Sequence, residues 1–354
     1  MRVFICNIVP KGLLVEFQGS QAANNFCFNL IEGKCFQSVY SIVPKFCNKN
    51  ISYSSNDGVS YLVNKGKNEF QKLLSYIRNS LLLVQKVKLS DNIWFYNLSK
   101  YSVLSYFFLR YIYRKKVFII LADYTPGRSF FSFQTILKYL LCHSCGLVTL
   151  SSRTNIQNNN TISIAGIIST KKLINEIRPI HKRIRFLFSG SLNTITGFEM
   201  VLRVFSRLPQ CELYITGNGK FPQTYSNFTN LHFLGMLDYD EYKKVLVNSD
   251  VCLSFRNPHL VENCNNFPSK ILEYFCFGKI VISTIKYPEL ADAKYIILPF
   301  NEDDMVECID KIVSDLSNNR IAPSNYDNRD FLQDNFSISA WEKGFEKIEK
   351  NCIS

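Results

Sequence analysis

The sequence predicts an α/β protein made of two β/α/β domains, each a parallel sheet with helices on both faces. Three observations carry this. Short β-branched or aromatic runs alternate with amphipathic stretches along the whole chain, the pattern of strand–helix units around a parallel sheet. The polar run Asn155–Thr161 and the segment around Thr170–Lys182 carry little periodicity, and the alternation begins afresh at Ile184. A length of 354 residues with 47% hydrophobic residues suffices for two cores, given domains of ~100–200 residues. The expected division is 1–178, 179–335 and a closing segment 336–354.

In the first half, a strand at 2–9 leads to Lys11-Gly12, and Gly19-Ser20 open a helix that runs to about Gly33. Short strands follow near Val39–Val43 and Ser60–Val63. A long amphipathic helix covers about Glu69 to Lys88, with Phe70, Leu73, Leu74, Ile77, Leu81 and Val84 on the face expected to pack inward. Strands Ile93–Asn97, Val117–Ala122 and Leu147–Leu150 are separated by helices near 100–114 and 129–141. In the second half, strand Ile184–Phe188 ends in Ser189-Gly190-Ser191-Leu192-Asn193, and a helix spans Gly197 to Leu208. Strand Glu212–Thr216 ends in Gly217-Asn218-Gly219, and strand Leu231–Leu234 ends in Gly235. A helix from about Asp240 to Asn248 and strand Val251–Phe255 complete this run. Strand Tyr295–Leu298 and helices Asp304–Leu316 and Ile338–Lys350 close the chain. Ligands of open α/β sheets bind at the carboxyl ends of the strands, so Gly190, Gly217, Gly235 and the loop after Phe255 are expected around one crevice.

The segment from Phe267 to Thr284 reads as a short helix, a glycine stop and a buried strand. Pro268 and Ser269 are helix-start residues. Gly278 suits a left-handed stop, and Lys279-Ile280-Val281-Ile282 opens the strand. Lys270 and Glu273, three apart near the amide-rich end, share one side of the helix. A lysine beside bare amides suits a phosphate, and a carboxylate suits ribose hydroxyls. A solvated surface ion pair is the competing reading of the same two residues.

The net charge of +12 is uneven: residues 1–178 hold 22 Lys/Arg against 7 Asp/Glu, and residues 179–354 hold 19 against 22. A basic first half implies an anionic partner such as a membrane surface, a phosphorylated substrate or nucleic acid. The aromatic, basic segment Tyr101–Tyr113, followed by Arg114-Lys115-Lys116, fits either an anionic membrane surface or a core helix with a basic end. No apolar run is long enough to span a bilayer. The twelve cysteines are irregularly spaced and no signal peptide is read at the start, so free thiols and a cytoplasmic location are expected. Cys142 and Cys145 lack a second pair at metal-site spacing.

Six signatures then occur in order: Ser189–Asn193; Gly197-Phe198-Glu199; Leu213–Gly219; Phe233-Leu234-Gly235; Ser249–Leu253; and Phe267-Pro268-Ser269-Lys270-Ile271-Leu272-Glu273-Tyr274. Together they resemble the nucleotide-sugar-binding half of retaining glycosyltransferases with the GT-B fold, as in glycosyltransferase family 4. The resemblance covers about residues 184–300. The first half adds only its β/α order and Gly19-Ser20-Gln21-Ala22 at the first helix. The resemblance implies two Rossmann-like domains facing each other across a cleft, with the last helix crossing back to the first domain.

It also implies roles. Glu273 stands where the family's ribose-binding glutamate closes the Glu-x7-Glu motif. Pro268, Ser269 and Lys270 stand at the diphosphate, with Gly190, Ser191, Asn193, Gly217, Asn218, Gly235, Met236, Asn265, Asn266, Phe267, Gly19 and Ser20 as further donor contacts. Two departures mark this chain. The family's earlier glutamate falls on Asn265, and Ser191 and Thr196 occupy its basic positions; Arg256 and Lys270 are the candidates to offset the charge of a leaving diphosphate. Asp123, after strand Val117–Ala122, is the candidate contact for the acceptor hydroxyl, or else a helix cap.

The implied reaction moves a sugar from a nucleotide-sugar donor to a hydroxyl of a saccharide or lipid-pyrophosphate-linked acceptor, with retention, in assembly of bacterial surface polysaccharide. No carboxylate cluster is read as having Mg²⁺ or Mn²⁺ spacing, so no cofactor and no tightly bound metal are expected. The partners expected are the donor, the acceptor and, at the inner face of the plasma membrane, an anionic surface. An inactive nucleotide-sugar-binding protein is the alternative. A dinucleotide oxidoreductase lacks its G-x-G-x-x-G after the first strand, and a nucleic-acid binder lacks a recognition motif.

Overall fold

The computed structural model describes residues 1–10, 13, 20–43, 57–122, 124, 132–154, 156–168, 180–264 and 267–352. The chain divides into two compact units, Met1–Ile167 with Ile338–Ser354, and Ile168–Ser337.

In unit 1 the described strands form one parallel sheet: β1 (Arg2–Cys6), β2 (Ser38–Val43), β3 (Val59–Val63), β4 (Asn92–Tyr96), β5 (Lys116–Leu121), β6 (Gly146–Thr149) and β7 (Thr161–Ser163), in the order β3-β2-β1-β4-β5-β6-β7. The order reverses between β1 and β4, so that junction is the topological switch point of the sheet. Helix α1 (Gln21–Glu32) starts at Ser20, whose hydroxyl accepts from the Ala23 amide at 3.3 Å. Helix α2 (Glu69–Val87) starts at Asn68, whose side chain accepts from the Gln71 amide at 2.9 Å. Helix α3 (Val103–Phe107) runs into a π-helical turn at Phe108–Ile112, and α4 (Phe133–Cys142) follows.

Helices α2, α3 and α4 cover one face of the sheet, with Leu83, Val84, Tyr106, Leu109 and Leu140 packed on Val3, Ile93, Phe95 and Ile119. The other face carries α1 and, from the end of the chain, the helix Ile338–Asn351, whose Trp341, Phe345 and Ile348 pack on Phe4, Trp94 and Phe118. That last helix is also pinned by polar bonds. Trp341 Nε1 donates to the Gly166 carbonyl at 2.8 Å, and Glu349 Oε1 accepts from Trp94 Nε1 and Arg2 Nε, both at 2.8 Å.

One expectation fails in α2. Of the apolar row expected to face the core, only Val84 is buried; Phe70, Leu73, Leu74, Ile77 and Leu81 are exposed. The buried arc is instead Asn79, Ser80, Leu83, Val84 and Val87, centred about a quarter of a turn away at 100° per residue. Asn79 holds it there: its amide nitrogen donates to the Val63 carbonyl and to Asn64 Oδ1, both at 3.0 Å, beyond the end of β3. In Tyr101–Tyr113, Tyr106 and Leu109 are buried, whereas Phe107, Tyr111, Ile112 and Tyr113 are exposed.

Unit 2 holds β8 (Arg185–Ser189), β9 (Glu212–Thr216), β10 (Leu231–Phe233), β11 (Val251–Ser254), β12 (Ile280–Ser283) and β13 (Ile296–Ile297), all parallel in the order β10-β9-β8-β11-β12-β13. The helices are α5 (Phe198–Ser206), α6 (Tyr239–Val247), α7 (Val261–Cys264), α8 (Lys270–Cys276), α9 (Glu302–Ser317) and α10 (Arg329–Phe336); α7 and α10 were not expected. Helices α5 and α9 bury Phe205, Val201, Met305 and Ile309 against Phe186, Ile215, Val251 and Ile282. The alternate residues of the strands face α6 and α8. Strand β12 starts one residue later than expected, at Ile280. Lys279 is buried before it, its ammonium donating to the carbonyls of Val247 (2.9 Å) and Ser249 (2.6 Å). A cation is thereby set against the carbonyl end of α6, where the helix dipole favours it.

Ten cysteines, Cys142 and Cys145 among them, are free. Cys142 packs with the α2–α4 layer and Cys145 with the opposite layer, so the pair is divided between two cores.

Candidate functional site

In unit 2 the strand order reverses between β8 and β11, and the loops that leave the carboxyl ends of β8 to β12 carry the residues singled out in the sequence. Gly190, Gly217 and Gly235 are tied into one cluster. Gly190 N donates to the Thr216 carbonyl (3.0 Å), and Gly217 N and Thr216 Oγ1 donate to the Gly235 carbonyl (2.9 and 2.8 Å). A Cβ on Gly217 would lie 1.7 Å from the Gly190 oxygen, and its φ of +145° is itself foreign to side-chain-bearing residues. At Gly190, with φ +153°, a Cβ would meet nothing within 4 Å: the backbone there faces open space that a ligand can approach.

Beside this cluster stands α8. Ser189 Oγ at the end of β8 lies 2.8 Å from the buried Tyr274 hydroxyl, which ties the helix to the strand. Lys270 and Glu273 do not form an ion pair. Tyr242 of α6 engages both: its hydroxyl donates to Glu273 Oε2 at 3.0 Å, and Lys270 Nζ sits 4.4 Å from its ring centroid. The ring face attracts the cation. Burial, reinforced by Tyr274 and Glu273, pushes the Tyr242 hydroxyl far above the usual phenol range, so it stays protonated and a donor. The Tyr274 hydroxyl is raised for the same first reason. Burial lowers the pKa of Lys270, opposed by the Glu273 charge. Its ammonium makes no hydrogen bond to any described residue. A desolvated cation with unused donors is a receptor for an anion.

The helix start is less open than expected. Ser269 lies in the helical region and makes no side-chain cap. The Ile271 and Leu272 amides donate to the Pro268 and Ser269 carbonyls (3.0 and 3.2 Å), closing a tight first turn. An anion there would rely on the Lys270 side chain more than on a fan of amides. Phe267 packs edge-on against the buried Tyr287, 5.4 Å between centroids.

The loop after β8 is organised by Thr196, where the resemblance has a basic residue. Its hydroxyl donates to the carbonyls of Ser191 (2.5 Å) and Asn193 (3.0 Å), while its amide donates to Asn193 Oδ1 (3.2 Å). Asn263, in α7, joins this loop to the one after β11. It donates to the carbonyls of Ile195 and Asn257, both at 2.9 Å, and accepts from Arg256 Nη1 at 3.2 Å. Arg256 is further anchored through its backbone, its amide donating to Thr284 Oγ1 at 2.7 Å. The guanidinium is therefore positioned at the switch point, beyond the end of β11.

Ser191, Asn193 and Asn218 are exposed in the loops of the same edge, and Met236 beyond Gly235 is exposed as well. Ser20 is the cap of α1 in unit 1. Gly19, Asp123, Asn265 and Asn266 lie outside the described residues. The sequence reading missed Tyr242, Tyr274, Ser189 and Asn263; only the partner of a buried or half-buried polar group reveals such roles, and those partners are 6 to 85 positions away. The sequence reading also took the chain to hold no Asp-x-Asp triplet, which is to be corrected: Asp238-Tyr239-Asp240 is one. The structure uses that triplet as a helix start, Asp238 and Glu241 forming a capping box at α6. A separate cavity of about 460 Å³, lined by His181, Arg183, Glu212, Tyr214 and His232 among others, opens at the amino ends of the strands, the edge opposite this site.

Residues 183–315 match the family model described as glycosyl transferases group 1. No curated protein sequence matches the chain. Among solved structures, a glycosyltransferase from Rickettsia africae ESF-5 is similar with a TM-score of 0.69 at 13% identity, over 99% of this chain and 98% of that one. Anabaena Alr3699/HepE in complex with UDP gives 0.68 at 13% identity, over 98% of both chains. The lipopolysaccharide outer core galactosyltransferase WaaB, in its apo form, gives 0.63 at 14% identity over 100% of both. Likeness at such identity establishes fold and leaves substrate to the site. The chain therefore has the GT-B fold of these glycosyltransferases, and within it residues 183–315 match a glycosyl transferases group 1 domain.

Proposed function

We propose that the chain is a retaining glycosyltransferase that takes its sugar from a nucleotide-sugar donor held in unit 2. The observation that carries this is the Lys270–Tyr242–Glu273 arrangement beside the open backbone of Gly190. In this reading the diphosphate lies against Lys270 and Gly190, and Glu273 accepts from the ribose hydroxyls with the oxygen that Tyr242 leaves free. The neighbours crystallised with UDP make a uridine nucleotide the first donor to test.

The anomeric C–O bond to the diphosphate breaks as the acceptor hydroxyl adds on the same face, its proton leaving with the diphosphate. Lys270 and Arg256 offset the charge that develops on the departing oxygens; neither needs to move far, so the contribution is preorganised. Asp123 is the proposed contact for the acceptor hydroxyl. The acceptor is a saccharide, carried on a lipid pyrophosphate at the cytoplasmic face of a membrane, and the pathway is assembly of surface polysaccharide. No tightly bound metal takes part.

The test is release of nucleoside diphosphate from a panel of sugar nucleotides, with the anomeric configuration of the product read by NMR. Glu273→Ala should abolish turnover, and EDTA should leave it unchanged. Loss of activity in EDTA that Mn²⁺ restores overturns the metal-free mechanism, and an inverted product overturns retention. A second reading has its own support: Thr196 spends its hydroxyl inside its loop, so no cation stands there. Donor binding without turnover on any acceptor would favour that reading, a nucleotide-sugar-binding protein without catalysis.

A further inference from the structure

The α2–α4 layer of unit 1 is apolar on both sides. Its inner side packs on the sheet, yet of the fifteen large hydrophobic residues exposed among the described residues of unit 1, thirteen lie in segments 69–87, 101–113 and 133–142. None lies in α1 or in the last helix, Ile338–Asn351, which cover the opposite face. Phe70 is 68% exposed, Ile112 58% and Tyr139 58%. Single exposed apolar residues need no explanation, whereas a clustered set marks a contact surface.

The three helices are neighbours, so these residues form one surface. The Leu104 amide donates to the Tyr76 hydroxyl at 3.2 Å, Lys88 Nζ lies 6.0 Å from the Tyr113 ring centroid, and the Tyr106 hydroxyl donates to the Leu140 carbonyl at 3.0 Å. The charge on the layer is one-sided. Segments 69–88, 101–115 and 132–143 carry four, three and one Lys/Arg, against a single acid, Glu69, which is paired with Lys72. A twofold contact between two copies would bring like charges together. A bilayer with anionic headgroups would neutralise them while the aromatic and aliphatic side chains enter the headgroup boundary. No described helix is long and apolar enough to cross a membrane, so the layer would lie on the surface.

We propose that the outer face of α2, α3 with its π-helical turn, and α4 docks on a membrane containing anionic lipid. The inference rests on the reading of the chain as an enzyme acting at a membrane, and it names the surface responsible. It enlarges the sequence expectation, which had confined the contact to Tyr101–Tyr113.

The test is flotation of the full chain with vesicles of phosphatidylcholine alone or mixed with phosphatidylglycerol. Two variants accompany it, Arg78→Gln with Lys88→Gln, and Phe70→Ser with Leu73→Ser. The wild type should float with the anionic vesicles at low salt and be released by high salt. Removing two cations should lower partitioning by about 25-fold, at roughly fivefold for each charge near the surface, and the serine variant should lose binding at any salt. Failure of the wild type to bind anionic vesicles overturns the proposal, as does binding that neither variant weakens. A dimer, seen by sedimentation, that the serine variant dissociates assigns the face to a second copy and overturns it too. Nucleoside diphosphate affinity, measured without vesicles, should be the same in both variants. A failed donor site is thus read separately from a failed membrane contact.

Discussion

Replacing Tyr242 with phenylalanine removes one oxygen and nothing else, which makes it a sharp probe of the donor site. The lost hydroxyl is the donor to Glu273 Oε2 at 3.0 Å, while the ring under Lys270 remains. Hydrogen bonds to charged acceptors contribute roughly 1.5–3 kcal/mol, and Glu273 is only half-buried, so the lower end applies. Freed of its donor, the carboxylate samples orientations that no longer meet the ribose. Nucleoside diphosphate affinity should therefore fall about tenfold, the equivalent of ~1.4 kcal/mol. For a unit spanning Ile168–Ser337, a loss of this size lowers Tm by about 3–6 °C. Titration calorimetry with a panel of nucleoside diphosphates reads the first effect and scanning calorimetry the second. Tyr242→Leu, which also deletes the ring, should cost roughly a further two- to fivefold in affinity through the lost cation–ring contact. A double-mutant cycle with Glu273→Gln should show a coupling of about 1 kcal/mol. If Tyr242→Phe binds like the wild type and the cycle shows no coupling, the hydroxyl does not orient Glu273 and the assignment of that carboxylate to the donor fails.

Other outcomes follow from the same geometry. Because burial lowers the pKa of Lys270 below 10.5, an anion that restores its charge must draw in a proton. Affinity should fall as pH rises through the depressed value, with proton uptake seen as a dependence of binding enthalpy on buffer ionisation. In the free protein the folded state binds fewer protons than the unfolded between that value and 10.5, so stability should rise with pH across this window. Lys270→Met should erase both effects. Gly217→Ala places a methyl 1.7 Å from the Gly190 oxygen. It should cost about 3 kcal/mol of unit 2 stability by thermal unfolding and abolish nucleotide binding. Lys279→Met strands the Val247 and Ser249 carbonyls and should lower stability by roughly 1–3 kcal/mol with nucleotide affinity intact. Loss of affinity there would mean that the end of α6 is coupled to the donor site.

Much of this was written along the chain. Strand and helix order in both halves follows from local periodicity and from glycines at strand ends, as at Thr216-Gly217 and Phe233-Leu234-Gly235, where side-chain-free backbone is required by the turn itself. The start of α1 at Ser20 and the separation of Lys270 and Glu273 by one turn are likewise local properties, set by neighbouring residues. Such features are legible because the forces that decide them act over a few positions.

What required the third dimension was partnership. The apolar row of α2 was strong enough in sequence to predict a buried face, yet Asn79, bonded to Asn64 and the Val63 carbonyl, turns the helix so that the row faces outward. Lys270 and Glu273, which by spacing alone make an ion pair or a donor site, are held apart by a tyrosine 31 residues from Glu273. Asn263 is one asparagine among many until its bonds to Ile195, Asn257 and Arg256 are seen. Periodicity says which residues are apolar and how far apart they stand, but a buried polar group takes its meaning from whatever lies within 3 Å. Only the folded chain decides that.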